Sequence, residues 1–219
     1  MSICTLLFHS YVLLYVQPLD LYAYVSTSIF QKMLVDMILE YQRLVPEIVA
    51  FTDRLLGCQK HCWLGERLLQ TLDENLLPKV SIDYKLISCF PIFDRIAANN
   101  TIPPSGLLEL LTKFMVFLVE KHGPDTGLKS WSQGSKVLGV CRTMLMHHHS
   151  SRLFLRLSRL LAFTCLYFPD LEVRDNARYD IENCFLPFLS GSQIVFISVF
   201  LLLWHMQFNS FFSCKINVV

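Results

Sequence analysis

The sequence predicts an all-α protein in which successive amphipathic helices pack side by side, and three observations predict it. Apolar residues recur at three- and four-residue spacing through the middle of the chain. Pro, Gly or a small polar residue bounds each periodic segment. Only 8 Gly and 9 Pro occur in 219 residues, too few for the turns of a β-sandwich or barrel. A hydrophobic fraction of 53% supplies a sizeable core and excludes a disordered polar tail. With 19 Lys+Arg against 18 Asp+Glu, the chain also lacks the basic surplus that nucleic acid would require.

Residues 1–30 form an apolar amino-terminal segment, expected to be helical. Its stretch Ile3 to Val16 has no early Lys or Arg and no small-residue cleavage site, which argues against a secretory signal. From residue 31 the helices follow one another. Met33, Met37, Ile38 and Tyr41 make a stripe ending near Pro46, which opens a second helix running to Gly57. A third runs from about His61 to Leu77 and stops at Pro78, and a fourth covers Asp83 to Asn99.

Ser105 to His122 is the clearest element. Pro103 and Pro104 block extension backwards, Ser105 can cap, and Leu107, Leu111, Phe114 and Leu118 share a face. Glu109 and Lys113 form a favourable i,i+4 pair on the opposite side. Gly123 and Pro124 then supply a stop. The Gly-, Ser- and Lys-rich stretch from Gly123 to Gly139, with Trp131 in it, reads as an inter-helix loop leading into a helix from about Ser135 to His147. The helix Ser151 to Phe168 stops before Pro169, with Arg152, Arg156 and Arg159 on one face and Leu153, Leu157, Leu160 and Leu161 on another.

Helices of 11 to 18 residues with short connections give an antiparallel stack. A pair every 40 or so residues fits the loose period of HEAT or armadillo units. The expected fold is therefore a HEAT/armadillo-like helical solenoid fragment with an apolar C-terminal tail, and a compact helical bundle is the second choice. Residues 185–214 carry no Asp, Glu, Lys or Arg, and their densest run, Ile194 to Trp204, is eleven residues broken only by Ser198. Crossing a bilayer takes about 20 consecutive apolar residues. The run is marginal, and it leaves an alternative reading: a small integral membrane protein anchored by residues 185–208.

No catalytic, cofactor-binding or metal-binding residue is expected. Cys58, His61 and Cys62 are soft ligands within five residues, but a fourth ligand is missing nearby and thiols at a helix junction are the preferred reading. His147, His148 and His149 point in different directions on a helix and read as an exposed loop. Cys89, Cys141 and Cys165 lie among apolar residues and read as small hydrophobes in a reducing compartment. The sequon Asn99-Asn100-Thr101 matters only in a secretory compartment. No Gly-x-Ser-x-Gly, His-Glu-x-x-His or Gly-x-Gly-x-x-Gly pattern occurs, and Gly134-Ser135-Lys136 has the wrong order for a phosphate loop.

The segment Pro169-Asp170-Leu171-Glu172-Val173-Arg174-Asp175-Asn176-Ala177-Arg178 opens a new helix. Asp170 can cap it, Glu172 adds negative charge to its first turn, and Asp170–Arg174 and Asp175–Arg178 are spaced as ion pairs. This segment resembles the helix opening of HEAT repeats in adaptin large chains. Together with Gly106 to Leu111, the helix through His122, the Trp131 region and Leu160 to Phe168, it is similar to the beta-subunit family of the fifth adaptor protein complex, over about residues 30–178.

The resemblance implies a non-enzymatic solenoid that binds a second large chain, a medium chain and a small chain. It implies action in endosomal and lysosomal vesicle-mediated protein transport, from the cytoplasmic side and peripheral on late endosome or lysosome membranes. Candidate inter-repeat or subunit contacts are Arg152, Arg156, Arg159, Asp170, Arg174, Asp175 and Arg178. Residues 31–178 would be the adaptin-like unit. Residues 179–219 are expected to be an apolar tail unrelated to the family, as in a truncated or alternatively spliced product.

Overall fold

A computed structural model of the chain describes residues 32–121 and 127–185. Among these residues every regular element is helical. The helices are α1 (32–40), α2 (Val45–Gly57), α3 (Cys62–Leu76), α4 (Phe90–Ala98), α5 (Ser105–Lys121), α6 (Gly127–His147), α7 (Ser151–Tyr167) and α8 (Leu171–Phe185). Two 3-10 segments, Gln42–Leu44 and Tyr84–Cys89, lead into α2 and α4. Residues 1–31, 122–126 and 186–219 lie outside the described residues, and with them the amino-terminal segment, the expected Gly123-Pro124 stop and the expected anchor beyond Phe185.

The packing alternates. α2 lies against α4, α4 against α6 and α6 against α8, making one layer, while α5 lies against α7 in the other. α3 packs on α2, and its end lies beside the start of α5, where Leu77 Cδ1 is 3.7 Å from the position of a Cβ on Gly106. Layers joined helix by helix in this way are a helical solenoid, as the sequence predicts.

Each helix presents one apolar stripe to its neighbours. In α5 all four predicted residues, Leu107, Leu111, Phe114 and Leu118, are fully buried, and Lys113 Nζ reaches Glu109 Oε1 at 2.8 Å. Each such burial contributes about 1.5–3 kcal/mol relative to exposure. A run of rings ties the elements together: Phe90 and Phe93 are 5.5 Å apart, Phe90 and Phe114 6.0 Å, and Tyr84 and Phe117 5.5 Å. Buried hydroxyls are satisfied within their own helices, Thr52 donating to the Ile48 carbonyl and Thr164 to that of Leu160.

Three local expectations change. In α1 the buried side chains are Leu34, Val35 and Ile38, while Met33 and Tyr41 face solvent, so the stripe is displaced from the predicted one. The fourth helix is split. Asp83 caps the 3-10 turns by accepting from the Lys85 N–H at 2.8 Å, and an α-helix begins only at Phe90. Pro91 explains the split, because its ring would clash with the Ile87 carbonyl in a continuous α-helix, whereas the first turn of a new helix accepts it.

The third change concerns α6, which begins at Gly127 rather than near Ser135, so Trp131 stands on a helix and not in a loop. Small residues there serve close packing. A Cβ on Gly134 would fall 2.7 Å from Phe168 Cζ and 2.9 Å from Val173 Cγ1, and Ser130 is buried. The last helix, α8, runs unbroken past Arg178 to Phe185.

Candidate functional site

The seven candidate contact residues do not form one site. Arg152, Arg156 and Arg159 lie on the exposed side of α7. Asp170 and Arg174 build the turn between α7 and α8, and Asp175 and Arg178 make a surface pair 3.3 Å apart on α8.

The α7–α8 turn follows from the unsatisfied groups at helix ends. Asp170 Oδ1 accepts from the Val173 N–H at 3.0 Å, the predicted cap. Arg174 does not take the predicted partner. Its Nε donates to the Cys165 carbonyl at 2.8 Å, placing a cation on the last turn of α7, where the helix dipole is negative. The Cys165 thiol lies 3.6 Å from the Arg174 carbonyl, and burial pushes its pKa to about 11. Cys89 is likewise raised to about 11 by burial, so both thiols stay protonated and unreactive.

Two ion pairs that sequence reasoning missed cross between helices of the first layer. Arg95 on α4 donates through Nε and Nη2 to both carboxylate oxygens of Asp53 on α2, at 2.6 and 2.8 Å. Arg142 on α6 donates through Nε to Asp180 Oδ1 on α8 at 2.7 Å. Asp180 is buried, and burial holds its carboxyl above the usual range while the Arg142 hydrogen bond pulls it back. The members of the Asp53–Arg95 pair stand 42 residues apart and those of Arg142–Asp180 38, and nothing local in the sequence signals either pairing.

The histidine run is not a wholly exposed loop. His147 and His149 are exposed, but His148 is buried with Nε2 3.0 Å from the Ala97 carbonyl, joining the end of α6 to the end of α4. Burial lowers its pKa, which keeps the ring neutral. Asn99, first residue of the sequon, accepts from the Thr101 N–H and hydroxyl in a tight turn. Among the described residues no group of three or more His, Cys, Asp or Glu could hold a metal ion. Nor is any described helix long and apolar enough to cross a membrane.

An open cleft of about 680 Å³ lies between the end of α1 and the loop before α4, with Arg43, Lys79 and Lys85 set among Glu40 and Asp83. A second, of about 460 Å³, lies along α3 and carries Asp73, whose carboxyl is raised to about 6 by burial and by neighbouring Glu74. Both are mixed in charge and open to solvent. The geometry offers stacked helix faces and turns, with interhelical ion pairs that set their spacing.

Residues 2–192 match the profile of the AP5B1 middle domain. The chain belongs to the AP5B1 middle domain family. The matched range includes α8 and extends past Arg178. Over 87 residues the chain is 31% identical to the AP-5 complex subunit beta-1 of Xenopus tropicalis. That alignment covers 40% of this chain and only 9% of the relative. No solved structure matches the AP5B1-family chain.

Proposed function

We propose that the chain is a non-enzymatic subunit, or part of one, of a heterotetrameric adaptor complex acting in endosomal and lysosomal vesicle-mediated protein transport. The observation that carries this reading is the AP5B1 middle domain match over residues 2–192, and the two-layered solenoid supports it. Stacked helices give long continuous faces suited to binding other chains. Its partners would be the second large chain, the medium chain and the small chain of the complex, and its place the cytoplasmic surface of late endosome or lysosome membranes.

Co-expression with those three subunits tests the assignment. The chain should co-elute with at least one of them on size exclusion, and elution alone under conditions where the other subunits assemble would contradict it. Alkaline carbonate treatment of membranes should release the chain. Retention in the pellet would favour an anchor in residues 185–208.

A further inference from the structure

The outer side of α7 carries a row of four exposed residues, Arg152, Leu155, Arg156 and Arg159, at spacings of three and four. No acidic residue occurs anywhere from Ser151 to Tyr167. Local electrostatics disfavour the Arg152–Arg156 part of the row. Arg152 occupies the first turn, at the positive end of the helix dipole, and its nearest like charge, Arg156, lies one turn away. Leu155, 47% exposed, stands in the middle of the row. From the adjacent helix Glu109 faces Arg156, yet the Glu109 carboxylate is already held by Lys113 at 2.8 Å.

We infer that this row is a docking face for an acidic amphipathic helix of a protein partner, with Leu155 as the apolar contact and Arg152 and Arg156 as carboxylate-binding groups. Arg forks match carboxylates in a two-point geometry. Residues at i, i+3, i+4 and i+7 are those one helix offers to another laid along it. A bound row of carboxylates would offset the repulsion that the free helix carries. A lipid surface fits less well, because one Leu gives little area to insert and anionic-lipid sites gather roughly four to eight cations. The inference goes beyond the adaptor assignment and does not rest on it.

The test uses the full chain alone. It is titrated at low salt with a labelled synthetic helical peptide bearing Glu and Leu at the complementary spacing, and separately with phosphatidylserine vesicles. The peptide should bind, and Arg152→Gln/Arg156→Gln should weaken it by at least about tenfold. That variant should melt close to the parent, since the change relieves repulsion along an exposed face and gives up only the solvent-screened attraction between Arg156 and Glu109. Leu155→Ala should weaken binding less. Equal binding by parent and double variant overturns the inference, and so does binding to vesicles without binding to the peptide, or no binding to the peptide.

Discussion

Arg142 and Asp180, on helices α6 and α8, meet at 2.7 Å, and the carboxylate end of the pair is buried while the guanidinium is half exposed. The second carboxylate oxygen, Asp180 Oδ2, is buried without a hydrogen-bond partner. Removing the arginine would leave the carboxylate with no compensation for its burial. Arg142→Leu is expected to cost about 1–3 kcal/mol in urea unfolding. Arg142→Leu/Asp180→Leu should recover most of that loss. A single variant as stable as the parent would show that the pair does not hold α8 against α6.

Two glycines of α6 should respond in opposite directions. At Gly134 a methyl group would strike the Phe168 ring at 2.7 Å, whereas at Gly139 nothing lies within 4 Å. Gly134→Ala is therefore expected to lower stability by about 1–3 kcal/mol through overpacking. Gly139→Ala should raise it by about 0.5–1 kcal/mol through helix propensity. Thermal melts of both variants measure the contrast directly.

Asp73 sets a pH dependence. Its carboxyl titrates near 6 in the fold against an ordinary 3.8, so the folded state binds the proton more tightly than the unfolded chain. Its contribution to stability is complete below about pH 4 and is lost as pH rises through about 6. Asp73→Asn, which mimics the protonated acid, should match the parent below about pH 4, gain on it as pH rises through about 6, and keep the full advantage above that. Chemical denaturation at a series of pH values reads the difference.

The Asp53–Arg95 pair joins α2 to α4 with two hydrogen bonds, but both side chains are 42% exposed. Its effect should be small and salt-sensitive. Asp53→Asn is expected to cost about 0.5–1 kcal/mol at low ionic strength and less in high salt. An equal cost at both salt concentrations would mean packing, not charge, is what the substitution disturbs.

What the sequence made legible were features written locally. The start of α5, its buried face, the Glu109–Lys113 pair and the Asp170 cap depend on residues within a turn or two of each other. The start of α6 was not legible, because Gly and Ser are turn formers by propensity and close-packing residues by size. Only the approach of Phe168 and Val173 shows which role Gly134 has. The displaced stripe of α1 reflects a similar ambiguity, since Met33 and Leu34 are both apolar and tertiary neighbours decide which is buried. Arg142–Asp180 and Arg95–Asp53 join distant parts of the chain, so their pairing appears only once the helices are stacked.

Amide hydrogen exchange read by mass spectrometry tests the stacked-helix architecture most directly, because it reports each helix separately. Residues 130–147 of α6 should be protected as strongly as the middle of α5, their amides held within a helix packed on α4, α5 and α8. Exchange through residues 130–139 at the rate of an open loop would contradict the stack at its centre.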